Sequence, residues 1–359
     1  MKQLIDFKEE IHKCSKCGLC QAECLIYKIT GNDCCVSRGH FSMLDGLIKG
    51  KLKMSKTINR YLDLCLKCGA CEEFCPSGIN VIDVMISAKS EYFKKHPIEK
   101  CKTFFQKYFI FGLIPRIVRT FIRPTKSKNF PHKVLYFGGC GSKLKGDRAV
   151  VKILNSLEIE VVNPKFHCCG IPYFSRGDIN EFNNSIKSYI KFLKKYDIKE
   201  VVTTCASCEK SLKDYSKWAE NNIPAEDLEM LRTISVKNIY EYLKESKTKL
   251  RLKRPSKITF HKPCNIKNWN DIEWILKNTE NLEYIEMNDF DKCCGLNGLS
   301  KLKEFKIMSN IFIAKRNNII QAKTRLVTTS CLGCEIALKS YSFGQYKTQD
   351  LIEFLSNQI

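Results

Sequence analysis

Cysteine spacing constrains this chain more than any other feature of its 359 residues. Eighteen of its 21 cysteines fall into four ordered sets. Two sets near the N-terminus share the spacing C-x2-C-x2-C-x3-C: Cys14, Cys17, Cys20 and Cys24, then Cys65, Cys68, Cys71 and Cys75. Two later sets follow a longer pattern: Cys140, Cys168, Cys169, Cys205 and Cys208, then Cys264, Cys293, Cys294, Cys331 and Cys334. So many soft thiol ligands at fixed spacing indicate iron–sulfur clusters, which carry electrons.

The two N-terminal runs predict a pair of [4Fe–4S] cubanes. In this spacing three thiolates hold one cubane, and the fourth cysteine of the run binds the other cubane. The first cubane set is therefore predicted to be Cys14, Cys17, Cys20 and Cys75. The second cubane set is predicted to be Cys65, Cys68, Cys71 and Cys24. Pro76 follows the last ligand as in bacterial ferredoxins, whereas Leu25 follows Cys24.

Zinc is the alternative metal, because structural zinc sites also use C-x2-C pairs. A third cysteine after only two residues fits zinc poorly, so iron–sulfur is the preferred interpretation. A c-type haem is excluded, since no C-x2-C pair is followed by His.

The insert between the two N-terminal runs, residues 25–64, is longer than compact ferredoxin hairpins need. Residues 41–49 and 58–66 have helix-like apolar spacing, which predicts a mostly helical domain over 1–93. Cys34 and Cys35 lie in this insert with neither a following Gly nor a partner pair. We interpret them as buried or incidental thiols.

The two longer cysteine sets are an internal duplication. Matching cysteines are separated by 124 residues (140 to 264), 125 residues (168 to 293) and 126 residues (205 to 331). A drift of only two residues across the pattern indicates two copies of one structural unit.

The duplicated region is predicted to be α/β. Apolar runs that suit buried strands precede the cysteines: 134–137, 201–204, 258–260 and 326–329. Helix-periodic segments lie between them: 149–157, 182–195, 272–277 and 305–321. This alternation predicts two half-domains with parallel sheets, over 132–250 and 251–359, with metal sites at the carboxyl ends of the strands. The expected fold class is α + α/β, a helical dicluster ferredoxin-like domain followed by the duplicated unit.

A basic, aromatic linker is expected over 94–131. Between Lys94 and Arg123, eight Lys or Arg accompany one acid and six aromatic residues. We interpret this stretch as an amphipathic connector, and peripheral contact of 94–123 with an anionic membrane is the alternative.

The first ten residues have no apolar signal core, so the cytoplasm, or the inner face of its membrane, is the expected location. The net charge of +22 comes without a nucleic-acid-binding motif, and no nucleic-acid partner is expected.

The duplicated pattern resembles the CCG domain of heterodisulfide reductase, and the pair of cubane motifs resembles the small ferredoxin-like component of the same enzyme. The order here is similar to that of the glycolate oxidase iron–sulfur subunit and its lactate-utilisation and anaerobic glycerol-3-phosphate dehydrogenase relatives. Further matching segments are Ser37-Arg-Gly39, Phe137-Gly-Gly-Cys140, His167-Cys-Cys-Gly170-Ile-Pro172 and His261-Lys-Pro-Cys264. The resemblance implies that five cysteines of each copy hold a non-cubane [4Fe–4S] cluster. We call these the first CCG set (Cys140 to Cys208) and the second CCG set (Cys264 to Cys334).

His167 and His261 lie beside these ligands. They are interpreted as core histidines, with hydrogen bonding to cluster sulfur as the alternative.

The resemblance also implies a function. The chain has no flavin, nucleotide or haem motif, so we expect an electron-transfer subunit that needs an FAD-containing 2-hydroxyacid dehydrogenase partner and passes electrons to quinone or another carrier. Glycolate-oxidase-type subunits often lack some CCG cysteines, whereas both sets are complete here. A heterodisulfide reductase-like thiol–disulfide reductase, with the cubane-bearing and CCG-bearing components fused in one chain, is therefore the alternative. A glycerol-3-phosphate dehydrogenase subunit and a zinc scaffold are further alternatives.

Metal content tests these expectations. Four clusters predict about sixteen iron and sixteen sulfide per chain after anaerobic reconstitution. Near eight iron would mean that only the N-terminal pair is loaded. Stoichiometric zinc without sulfide would contradict the iron–sulfur interpretation.

Overall fold

The computed structural model describes residues 2–96, 127–140, 144–163, 168–266, 268–296 and 304–358. The N-terminal region is helical, as expected, with two 3₁₀ turns at Leu4–Phe7 and Asp33–Cys35. Its helices are α1 (Lys8–His12), α2 (Leu19–Glu23), α3 (Leu25–Thr30), α4 (Ser37–Ile48), α5 (Lys56–Leu64), α6 (Ala70–Glu73) and α7 (Val81–Lys95). Leu44, Leu62 and Val84 are fully buried in one core where α4, α5 and α7 meet.

The remaining chain alternates strands and helices. The strands are β1 (His132–Phe137), β2 (Ile159–Val162), β3 (Glu200–Thr203), β4 (Ser235–Asn238), β5 (Arg251–Phe260), β6 (Glu280–Tyr284), β7 (Leu326–Thr329) and β8 (Lys347–Asp350). The helices are α8 (Leu144–Ser156), α9 (Ile171–Phe174), α10 (Ile179–Tyr196), α11 (Ala206–Ala219), α12 (Ala225–Thr233), α13 (Ile239–Glu245), α14 (Trp269–Asn278), α15 (Phe305–Gln321), α16 (Leu332–Ser340) and α17 (Leu351–Gln358).

Two parallel four-stranded sheets confirm the predicted α + α/β class. Their strand orders are β2-β1-β3-β4 and β6-β5-β7-β8, so the second sheet repeats the first. The cysteines follow the carboxyl ends of the two central strands in each sheet: Cys140 after β1, Cys205 after β3, Cys264 after β5 and Cys331 after β7. Loops from both central strands therefore meet at one edge of each sheet.

The two sheets share one hydrophobic core. α8 packs against α17, and α13 packs against α14, so each half contributes one helix to each contact. Val134 of β1, Ile258 of β5 and Leu351 of α17 are fully buried in this common core. The halves are held together by apolar burial, which fixes the distance between their cysteine edges.

The helical domain contacts both halves. Asp83 of α7 accepts a hydrogen bond from the Trp218 indole at 3.0 Å and pairs with Lys217 at 2.6 Å, both on α11 of the first half. Glu23 pairs with Lys292 of the second half at 2.9 Å. The N-terminal cysteines are thereby held against the edges of the two sheets.

No helix within the described ranges has the length and hydropathy that a membrane span requires. From residue 97 to 126 the predicted amphipathic linker lies outside the described residues.

Gly177 tests the docking of the helical domain. Its φ is +84°, and an added Cβ would lie 2.6 Å from the Lys89 carbonyl carbon and 2.7 Å from the Ser90 nitrogen on α7. Gly177→Ala should cost about 1–3 kcal/mol of folding free energy, because backbone strain and overlap add. Gly344→Ala is the matched control, since its φ is +78° with open space around it. Thermal unfolding of the loaded protein should show the larger loss for Gly177→Ala, and equal losses would contradict this contact.

Candidate iron–sulfur sites

The thiols assigned to the first cubane set line a common cavity. Cys14, Cys17, Cys20 and Cys75 all border it, and Cys71 of the second cubane set also reaches it. Cys75 arrives from the second run of the sequence, as the crossed pairing requires. The structure therefore brings the four predicted ligands together, while their ligation stays a prediction.

The second cubane set is gathered by the same crossed arrangement. Cys24 lies close enough to Cys65 and Cys71 for their charges to interact. Burial raises the pKa of Cys24 and of Cys71, so neither sulfur is charged at neutral pH without a compensating cation. Metal binding supplies that compensation by replacing the thiol protons.

Both cubane loops have the same unusual backbone. Lys16 and Gly18 have φ of +57° and +86°, and Lys67 and Gly69 have φ of +53° and +81°. Such left-handed residues turn successive N–H groups toward one point, which suits a negatively charged group. The Lys67 N–H donates to Cys65 Sγ at 3.4 Å. This repeated conformation fits sulfide-rich clusters at both loops.

The N-terminus of α4 points at both cubane sets. The Ser37 hydroxyl donates to Cys71, and the backbone N–H of Arg38 donates to Cys20. An added Cβ on Gly39 would lie 1.8 Å from the Asp33 carbonyl oxygen, so glycine is required for this close turn. The positive end of the helix dipole and its donors stabilise thiolates at both sites. The Ser37-Arg-Gly39 segment thus supports the thiols of both cubane sets.

The cysteines of the first CCG set are in mutual contact, with Cys169 and Cys208 buried and the other three half-buried. Hydrogen bonds from Cys168 and Cys208 lower the pKa of Cys169 well below its usual value. Cys140 contacts Cys168, and Cys205 contacts Cys208. The five thiols form a continuous group, while their ligation of a cluster stays a prediction.

The second CCG set repeats this arrangement. Hydrogen bonds from Cys293 and Cys334 lower the pKa of Cys294 to about 5. Cys264 contacts Cys293, and Cys331 contacts Cys334. In each set, the second cysteine of the CCG motif therefore accepts hydrogen bonds from the first cysteine of that motif and from the last cysteine of the set.

The glycine of each CCG motif has a defined role. Gly170 and Gly295 have φ of +76° and +85°, and each N–H donates at 3.4 Å to the first cysteine of its motif, Cys168 or Cys293. An added Cβ on Gly295 would lie 2.9 Å from Ile311. Another residue at either position would strain the turn that presents the sulfurs.

The two CCG sets meet where the two halves of the duplicated domain touch. Cys205 contacts Cys331, and Ser207 Oγ lies 3.3 Å from Cys331 Sγ. The Ala206 N–H donates to the Ser330 carbonyl at 2.9 Å across the same junction. α11 and α16 both begin here, so two helix N-termini stabilise negative charge at one place.

The helical domain adjoins the second CCG set. Burial and the nearby Cys264 thiol raise the pKa of Cys68 well above its usual value. Cys293 also interacts with Cys68. The sets therefore form a series in space: first cubane, second cubane, second CCG and first CCG.

The ten CCG cysteines, all of them described, fit a metal cluster better than a reduced protein core. None of them forms a disulfide, and hydrogen bonds to neighbouring cysteines, together with burial and like charge, raise the pKa of Cys168, Cys208, Cys264 and Cys334. Five sulfurs packed together expel water, which makes their thiolate forms costly unless iron supplies counter-charge. The chemistry of the donors is therefore that of an iron–sulfur site.

Family comparisons agree with this chemistry. A sequence model of the 4Fe-4S dicluster domain matches residues 10–79, and a model of the cysteine-rich CCG domain matches residues 134–213 and 258–339. The chain therefore carries one 4Fe-4S dicluster domain and two cysteine-rich CCG domains.

Relatives of this CCG-domain protein include oxidoreductase subunits. It is 25% identical to the probable glycolate oxidase iron–sulfur subunit of Bacillus subtilis, over 94% of this chain and 92% of the relative. It is 20% identical to a subunit of the dihydromethanophenazine:CoB–CoM heterodisulfide reductase of Methanosarcina mazei, over 91% and 88%. A solved structure of a hypothetical protein from Helicobacter pylori has a TM-score of 0.54 at 12% identity, over 89% of this chain and 67% of that one. This last likeness shows a shared fold.

Of the two histidines that lie beside predicted ligands, only His261 is among the described residues. His167 lies outside the described residues. His261 is fully buried, and one of its ring nitrogens lies within 4.8 Å of both Cys294 Sγ and Cys334 Sγ. Burial and the nearby Lys315 lower its pKa to about 3. Lys315, which is only 4% exposed, could not be predicted as a site residue from the sequence, because it belongs to no motif.

Cys34 and Cys35 stay outside the four sets. Cys35 is buried, Cys34 is half-buried, and the Cys35 carbonyl accepts a hydrogen bond from Cys24 Sγ at 3.9 Å. Cys34 therefore offers a control position for cysteine replacement.

Cys75→Ser tests the crossed pairing. It should remove the cubane bound by Cys14, because Cys75 lies in that cavity, and lower the iron content by about four. The double variant Cys14→Ser/Cys75→Ser should lose no more iron than either single variant, and Cys34→Ser should lose none. Loss of the cluster at Cys65–Cys71 in Cys75→Ser, seen by EPR, would refute the assignment.

Proposed function

We propose that this protein is the electron-transfer subunit of a flavin-linked 2-hydroxyacid dehydrogenase, of glycolate or lactate type. It takes electrons from an FAD-containing subunit and passes them to quinone or another carrier. The chain alone would not oxidise the hydroxyacid, because that two-electron step takes place on the flavin of the partner subunit. The relative named as a probable glycolate oxidase iron–sulfur subunit, matched along nearly all of both chains, supports this assignment.

The observation that carries the proposal is the unbroken series of thiols. Cys20 interacts with Cys14 in the first cubane set, Cys68 with Cys264, and Cys205 with Cys331. The four sets would hold two cubane and two non-cubane [4Fe–4S] clusters, which supply one-electron carriers when bound. The chain's own part is to ligate, bury and space them.

Exposure distinguishes the two ends of the series. Of the eighteen cysteines, all of which are described, Cys17 alone is exposed. Leu19 and Phe74, beside the first cubane set, are each 51% exposed. We assign electron exchange with the flavoprotein to this end, because a partner must approach a cluster closely there.

A disulfide reductase is the second candidate, favoured by one observation. Both CCG sets are complete, and a cavity reaches Cys205 at their junction. The same cavity is lined by Asp147, Glu335, Asp350 and Glu353. These carboxyl groups disfavour an anionic disulfide at this cavity, so a reductase acting here would take a neutral substrate.

The deciding experiment uses the full, loaded chain. Alone with dithionite it should leave a small neutral disulfide uncleaved. With an FAD-linked dehydrogenase from the same organism and glycolate or lactate, it should support dye reduction that neither protein gives alone. Cys34→Ser should behave as wild type.

Rapid disulfide cleavage by the chain alone would overturn the carrier assignment. The reductase would be established if Cys169→Ser or Cys294→Ser abolished that cleavage while Cys34→Ser did not.

A further inference from the structure

The two CCG sites differ in the residue three positions before their first cysteine. Phe137 precedes Cys140, and His261 precedes Cys264, at the same 124-residue offset as the cysteines themselves. Both side chains are buried, Phe137 at 8% and His261 at 0% exposure. The duplication therefore places an apolar ring at one site and a polar ring at the other.

The His261 ring lacks hydrogen-bond partners among the described residues. The Phe290 carbonyl is close enough to interact weakly with the ring, but neither ring nitrogen has a hydrogen bond of good distance and angle to a described residue. A buried imidazole without partners is costly, so such groups are rare in folded proteins. Since one nitrogen lies beside Cys294 and Cys334, the missing partner belongs to whatever occupies the second CCG site.

Lys315 adds a buried positive charge to the same site. It is 4% exposed, and its ammonium donates to the Asp289 carbonyl. It also interacts with Cys293, Cys294 and Cys334. The charge of Asp289 also acts on this ammonium, and an anionic iron–sulfur cluster at the second CCG set would add negative charge on the side of the cysteines.

The corresponding helix of the first half, α10, presents a neutral ring at this place. It packs Tyr189 edge-on against Phe137, with ring centroids 6.0 Å apart. Tyr189 is also fully buried, and its hydroxyl makes no hydrogen bond within the described ranges. Both rings are neutral and belong to the same buried cluster as Cys169 and Cys208 of the first CCG set.

We propose that His261 and Lys315 are positioning residues for the cluster of the second CCG set. A ring N–H of His261 donates to a cluster-bound sulfur and Lys315 supplies a nearby positive charge, so this cluster is reduced at a higher potential than that of the first CCG set. The inference rests on the proposed iron–sulfur function. Hydrogen bonds to sulfur and net charge are both established determinants of cluster potential.

Donation by His261 is favoured over iron ligation by the number of thiols present. A four-iron cluster is ordinarily held by four thiolates, and the second CCG set already supplies five. The nitrogen therefore need not bind iron. The consequence is functional: electrons entering from the helical domain populate the second site, which adjoins Cys68, before the first.

The test is an EPR-monitored potentiometric titration of the full, anaerobically reconstituted chain. Cys169→Ser and Cys294→Ser, which each remove a ligand from one CCG set, assign the two midpoints to their sites. In wild type the second-site midpoint should be the higher one.

Substitutions at positions 261, 315 and 137 make the surroundings of each CCG site resemble those of the other. His261→Phe should lower the reduced-to-oxidised ratio of the second cluster at least tenfold at fixed potential, about 59 mV for one electron. Lys315→Met should shift it in the same direction, and His261→Asn, which keeps an N–H donor, should retain most of the wild-type value. Phe137→Leu is the matched control and should leave the second midpoint unchanged. Phe137→His should raise the first midpoint.

Several outcomes would overturn the inference. With iron content near that of wild type, an unchanged second midpoint in both His261→Phe and Lys315→Met rejects it while leaving the proposed function intact. A nitrogen hyperfine coupling that identifies His261 as an iron ligand also rejects it. Absence of iron and sulfide from the wild-type protein would instead reject the proposed function.

Discussion

The structure depends on the burial of cysteine sulfur at places where its negative charge is tolerated. Parallel strands and helix N-termini deliver the sulfurs to one edge of each sheet, and left-handed turns aim N–H groups at them. Burial raises the pKa of Cys24, Cys68 and Cys71, so the sulfurs need a cation to become ligands. Folding buries the sulfurs, and cluster binding supplies the cations that this burial requires, so the two processes are coupled.

Duplication followed by divergence explains how one fold supplies unlike sites. The two sheets share their strand order, their CCG turns and their C-x2-C helices. The shared apolar core keeps the halves at a fixed separation and brings Cys205 against Cys331. Within this common frame the Phe137 and His261 positions differ, and each site acquires its own electrostatic environment.

The sequence predicts the local features well. Cysteine spacing indicates the four sets, and the apolar runs at 134–137 and 326–329 fall within β1 and β7. The sequence predicts none of the four outer strands, β2, β4, β6 and β8. Of these, β4, β6 and β8 are largely polar and partly exposed and lack a strand-like apolar pattern. The contact between Cys68 and Cys264 also could not be predicted, because it depends on how separate domains pack. Lys315 is one of 60 Lys and Arg residues, and only its burial distinguishes it.

Anomalous scattering at the iron absorption edge, from anaerobically grown crystals of the full chain, tests the central claim most directly. The account predicts four groups of iron in one series, beginning at Cys14, Cys17, Cys20 and Cys75 and ending at the first CCG set. The second and third groups should lie on either side of the Cys68–Cys264 contact. Single metal ions at separate C-x2-C pairs, or no iron beside Cys264 and Cys293, would contradict a continuous electron path.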